Sequence, residues 1–226
     1  MLTQKYNKKI RSKLDNIYKI LLSKKDIDKF EDQIIQIIKN FNKKNPKRKK
    51  NVSEKTSLII CYGDSIYSNK KNSISLFKTF FQKKLKKYFN MIHFLPFYPS
   101  SSDSGFSVKD HYQIDNKLGN WSDIKKISKS NDIMADIVIN HASARGLWFR
   151  NFLKNKKPGK NYFLTIDSKF NTSKVIRPRD HKLLKQINIF NKKEYLWRTF
   201  SEDQLDLNFK NPSVLLRFIK IMINLI

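Results

Sequence analysis

The sequence is poor in cysteine, in acidic residues and in long apolar runs. The single cysteine, Cys61, cannot form an internal disulfide. It sits inside "LIICYGD", an apolar stretch, and reads as a small buried core residue. A reducing cytoplasm suits that usage. No apolar run approaches the roughly 20 residues that cross a bilayer. The first residues, "MLTQKYNKKI", lack the apolar centre of a secretory signal. A soluble, cytoplasmic protein is expected, with no membrane partner.

Acidic residues are outnumbered. There are 47 Lys+Arg against 19 Asp+Glu, a formal net charge of +28 over 226 residues. Such an excess raises nucleic acid as a partner. Lysine, however, is spread along the whole chain together with asparagine and isoleucine, as a codon-composition bias would leave it. No aromatic-interleaved basic patch occurs, and no nucleic-acid partner is expected.

Two amphipathic helices are predicted in residues 1–50. Tyr6, Ile10, Leu14, Ile17 and Leu21 recur at helical spacing, and so do Ile27, Phe30, Ile34, Ile37 and Phe41. Their apolar stripes need a partner, so a helical hairpin packed on the main domain is expected. "NKKNPKRKK", 42–50, reads as an exposed basic linker.

From residue 57 the rhythm changes to strand, helix, strand, helix, strand. "SLIICYG", "MIHFLPFYP" and "DIMADIVIN" are short apolar runs and read as buried strands. "NSISLFKTFFQKKLKKYF", 72–89, is helical, with Asn72 or Ser73 as N-cap. "WSDIKKISKS" is a shorter helix. Apolar strands alternating with helices imply parallel pairing and an α/β fold. Residues 142–205 look polar and irregular, either an inserted subdomain or a functional lid. Asn211 caps a last helix with Pro212 at its first position. That helix runs to Leu225-Ile226 with no terminating glycine or turn. A longer design cut short, whose three parallel strands leave an edge that wants a fourth, is therefore expected, divided as 1–50, 51–141, 142–205 and 206–226.

In parallel α/β folds ligands bind at the C-terminal ends of the strands. Each predicted strand runs there into polar residues. The first leads to Tyr62, Gly63, Asp64 and Ser65, and the second to Asp103, Gly105, Phe106, Asp110 and His111. The third leads to Asp136, Asn140 and His141. Carboxylates that accept from hydroxyls, beside rings that stack on pyranose C–H faces, suit a sugar. Each residue alone fits an ordinary turn equally well.

"DIVINH" resembles the Asp-x-x-x-Asn-His segment of the alpha-amylase superfamily, glycoside hydrolase family 13. "IHFLPFYPSSSDSGFSVKDHYQIDNKLGNWSDI", "VIRPR" and "LWRTFSEDQLDLNFKNP" are similar, in order, to its sucrose phosphorylase and glucosylglycerate phosphorylase-like branch. The likeness covers residues 57–226.

The resemblance implies the N-terminal portion of a (β/α)8 barrel, with 142–205 as a subdomain inserted after the third strand. It also assigns roles. Asp103 and His141 would bind glucosyl hydroxyls, and Phe106 would wall that subsite. Arg177, Arg179 and Gln204 would shape the acceptor side. Asp136 and Asn140 would fix the His141 loop. The substrates implied are an α-glucoside such as sucrose or glucosylglycerate, together with inorganic phosphate. No cofactor and no metal are expected. The family's attacking Asp and protonating Glu have no counterpart in these residues. The chain alone is expected to lack glycosidic activity, and a family 13 hydrolase fragment or a carbohydrate-binding remnant is the alternative.

Overall fold

The computed structural model describes residues 2–44, 52–69, 71–189 and 192–226. The linker predicted at 42–50 lies mostly outside them. Two compact units are present, one of residues 52–208 and one of residues 1–51 with 209–226.

The larger unit is built on a parallel sheet of β1 (Leu58–Cys61), β2 (Met91–Phe94) and β3 (Asp132–Ala135), in that spatial order. Ile59 pairs with Ile92, and Ile92 with Ile133. Alternate side chains along each strand face opposite ways. Cys61, Ile92 and Phe94 therefore join one core with Ile74, Phe77, Phe81, Ile124 and Ile127 of the covering helices. This is the α/β architecture of the N-terminal part of a (β/α)8 barrel.

The helices start where capping chemistry allows. Asn72 Oδ1 accepts from Ser75 N at 2.8 Å and opens α3 (Ser73–Phe80). Asn120 and Asp123 form a reciprocal capping box at the head of α4 (Trp121–Ser128). The single helix expected over 72–89 is α-helical only to Phe80. It then widens into a π-turn, Phe81–Leu85, closed by Lys86 N donating to Phe81 O at 2.9 Å. The widened turn carries Phe81 into the core, and Leu85 and Phe89 pack against it.

Both later strands are shorter than their apolar runs. β2 ends at Phe94, two residues before Pro96, which has no N–H to give a ladder. β3 ends at Ala135 instead of running to Asn140. Beyond it the backbone carbonyls accept from other elements rather than from a neighbouring strand.

The described residues of 142–205, expected to be irregular, form regular elements. β4 (His141–Ser143) pairs antiparallel with β8 (Gln204–Asp206). Between them lie α5 (Leu147–Leu153) and an antiparallel sheet of β5 (Thr165–Ile166), β6 (Leu184–Ile189) and β7 (Lys192–Trp197), in the order β5-β7-β6. Aromatic packing supplies a core, with Phe152 and Phe163 buried as their sequence context suggests. Phe149, Phe152 and Phe163 meet with Phe163 edge-on to both others at 5.3 Å. Phe170 is exposed.

The smaller unit joins α1 (Leu2–Tyr18), α2 (Lys24–Lys44) and α6 (Pro212–Leu225). Leu14, Tyr18, Ile27, Phe30 and Ile34 form its core, and Leu215, Leu216 and Ile219 pack against them. The 206–226 segment, assigned from sequence to a barrel helix, thus groups largely with the N-terminal helices. Asn211 caps α6 with Pro212 in its first turn, as expected. Ser23 Oγ accepts from Asp26 N at 3.2 Å at the head of α2. Arg11 gathers Asp15, Asp28 and Glu31. The apolar stripe of α1 is only partly used: Leu14 is buried, but Tyr6, Ile17 and Leu21 are exposed.

Candidate functional site

Five residues, Asp136 to Asn140, connect β3 to β4, and they are held from three directions. Tyr98 Oη donates to the Asp136 carbonyl at 3.1 Å. His111 Nε2 donates to the Val138 carbonyl at 3.0 Å. Leu207 N donates to the Asn140 carbonyl at 2.9 Å. Every second carbonyl of the segment is thereby satisfied without a strand partner.

The Asp136 carboxylate turns back to the sheet, where Oδ1 lies 2.7 Å from His93 Nε2. His93 pairs with Met134 in the β2–β3 register, so the bond crosses adjacent strands near their C-terminal ends.

This bracing delivers His141 to the wall of a cavity of about 450 Å³. Phe106, Asp136, Asn140, His141, Arg179, Phe200 and Gln204 line it. His141 is buried, and its Nε2 donates to the Phe106 carbonyl at 3.1 Å. That bond ties the β4 end to the loop after β2. The Phe200 ring lies 4.9 Å from the His141 ring, between centroids. Arg179 reaches the cavity from the excursion and donates from Nε to the Phe200 carbonyl at 2.9 Å.

The structure therefore brings together Phe106, Asp136, Asn140, His141, Arg179 and Gln204. Arg177 is not among the lining residues. Its guanidinium donates to the His181 carbonyl and lies 3.1 Å from His181 Nε2. The side chain of Asp103 lies outside the described residues. Among the described residues no group of three His, Cys, Asp or Glu is placed to hold a metal ion.

Sequence reasoning missed Phe200, Asp206 and His93. Asp206 pairs with His141 across β4 and β8. Thr199 donates to its carboxylate through backbone N at 2.9 Å and Oγ1 at 2.6 Å. Burial pushes the Asp206 carboxyl upward, against the pull of the Thr199 bonds. The alternation in "QLDLNF" was a usable strand signal, but nothing in it names His141 as the partner.

His111 was noted at the strand end without a role. It is buried, stacked on Trp148 at 5.1 Å and 12°, and tilted to Tyr98 at 5.7 Å. Burial pulls its pKa down to about 4, so near neutral pH it is an uncharged donor.

A ring wall, a buried imidazole, an amide and a guanidinium around an open cavity can accommodate a hydroxylated ring and an anionic group. The alpha amylase catalytic domain family matches residues 83–226. The glucosylglycerate phosphorylase of Allomeiothermus silvanus is 41% identical over 171 residues, 76% of this chain and 31% of that protein. The glucosylglycerate phosphorylase of Escherichia coli is 37% identical, with 78% of this chain and 32% of that protein covered. The solved structure of sucrose 6F-phosphate phosphorylase from Thermoanaerobacter thermosaccharolyticum superposes with a TM-score of 0.64 at 26% identity. That match covers 77% of this chain and 38% of that one. The chain spans about a third of the length of the curated relatives it matches. It belongs to the alpha-amylase catalytic domain family.

Proposed function

We propose that this chain supplies the glucosyl-binding part of a retaining α-glucosyl phosphorylase, which transfers glucose from an α-glucoside to inorganic phosphate. The observation that carries the reading is the cavity wall shared by Phe106, His141, Arg179 and Gln204 at the C-terminal side of the sheet. In this reading Phe106 packs on the C–H face of the sugar ring, and Asp103 with His141 orients its hydroxyls. Arg179 and Gln204 face the acceptor or the phosphate. A guanidinium suits a phosphate oxyanion through charge-assisted hydrogen bonds.

Retaining transfer uses two carboxyl groups about 5–5.5 Å apart, one attacking the anomeric carbon and one protonating the leaving oxygen. The resemblance found neither in these residues. The reading therefore assigns binding to this chain and bond cleavage to segments outside it. Sucrose and glucosylglycerate are the donors favoured, because relatives bear those names. A cytoplasmic setting belongs to the same reading and is supported by the lone buried thiol of Cys61.

The test is ligand-observed NMR of the whole chain with sucrose, glucosylglycerate and phosphate, beside an assay for glucose 1-phosphate. Saturation transfer to the glucosyl protons, lost in His141→Ala, with no glucose 1-phosphate released, is the expected result. Absence of transfer to any of these ligands overturns the binding assignment. Robust turnover overturns the division of labour.

A further inference from the structure

The end of the helical hairpin carries a feature that the phosphorylase reading leaves unused. In the sequence the stripe of α1 needed a packing partner. In the structure its last turn and the following residues stay outside the core. Ile17 is 54% exposed, Ile20 88% and Leu21 47%. Three large aliphatic side chains exposed within five residues, at the end of α1 and just after it, mark an interaction site more than an ordinary surface.

Their surroundings are cationic. Lys13 lies one helical turn before Ile17, Lys19 precedes Ile20, and Lys24 and Lys25 open α2. All four lysines are exposed. Among the described residues none of them is in an ion pair. Between residues 13 and 25 the only carboxylate is Asp15, which is paired with Arg11, while Asp26 beside Lys25 keeps its charge. Arg11 draws in Asp15, Asp28 and Glu31, and Asp26 takes the hydroxyl of Ser23 at 2.6 Å.

We propose that this turn docks on an anionic membrane surface, with Ile17, Ile20 and Leu21 entering the headgroup–acyl boundary and the lysines contacting lipid phosphates. The pairing of an apolar wedge with a basic rim is what that boundary selects. A nucleic acid would engage the lysines but would leave the isoleucines in water. The sequence-based expectation of no membrane partner rested on the lack of a spanning segment. No described helix is long and apolar enough to cross a membrane, so the contact is peripheral.

The test is flotation of the whole chain with vesicles of phosphatidylcholine alone and of phosphatidylcholine with phosphatidylglycerol. Binding to the anionic vesicles only, weakened by salt, is expected. Ile20→Ser with Leu21→Ser should lower it about tenfold while keeping every lysine, and Lys24→Gln with Lys25→Gln should do the same. All four positions are exposed, and circular dichroism checks that the variants fold. Ile20→Trp adds a direct probe, whose emission should move to shorter wavelength on anionic vesicles. No binding to those vesicles overturns the proposal. Binding that the serine variant leaves unchanged, or that duplex DNA competes away with no tryptophan shift, also overturns it.

Discussion

His93 and Asp136 sit on adjacent parallel strands or just beyond them, and their side chains meet at 2.7 Å, imidazole nitrogen to carboxylate oxygen. The bond fixes the point where β3 leaves the sheet and the braced segment begins. His93→Ala should cost about 1–3 kcal/mol, because it strips a partly buried carboxylate of a charge-assisted partner. A double-mutant cycle with Asp136→Ala in urea denaturation checks it. A coupling indistinguishable from zero would mean that the two residues contribute separately.

His111 gives the fold a dependence on pH. Burial holds its folded pKa near 4, below the ordinary imidazole value. Between pH 6.5 and 4 the unfolded chain therefore takes up a proton that the native fold refuses. Stability is full above about pH 6.5 and is lost as pH falls toward 4, by a few kcal/mol at most. Urea midpoints at pH 7.5 and pH 5 measure the slope. His111→Gln should flatten it, and an unchanged slope in that variant would remove His111 as its source.

Gly105 has φ +97°, and a Cβ placed there would lie 2.3 Å from the Pro96 carbonyl oxygen. Gly105→Ala therefore meets both backbone strain and an immovable neighbour, costing about 1–3 kcal/mol. Since Phe106 follows directly, sugar binding should fall with it. Thermal melts and the NMR assay report the two effects, and an alanine variant as stable as the parent would show that this loop yields.

Cys61 should be chemically quiet. Burial pushes its thiol up to about 12, so little thiolate exists at pH 8. Iodoacetamide should label it slowly in the folded protein and fully in guanidinium chloride, as followed by mass spectrometry. Rapid labelling of the native protein would place Cys61 at the surface.

How much of this was legible from the sequence depended on where each residue finds its partner. The three strands and their covering helices were, because Ile59, Ile92 and Ile74 repeat at their own element's period and caps such as Asn72 act within three residues. Asp136 and Asn140-His141 were also visible, through a short motif. The end of β3 was not, because what stops it is Tyr98, His111 and Leu207, donors far away in sequence. The β6–β7 pair was hidden by its composition: Lys185, Lys192 and Lys193 give strands whose polar faces look like loop. The fates of Arg177 and Arg179 could not be separated either. They are two residues apart in "RPR", yet one turns to His181 and the other lines the cavity.

The antiparallel pairing of β4 with β8 has a consequence for how this region can change. His141 and Asp206 face each other at the root of everything from Ala144 to Asp203, so that long excursion is pinched shut at its neck. Closing a loop costs only slowly more as it lengthens. Residues can therefore be gained or lost at the far end, in the β6–β7 arm, without shifting the register at the root. Among the described residues of the excursion, Arg179 and Phe200 reach back to the cavity. The arm can drift in length while these two side chains keep their place on the cavity wall.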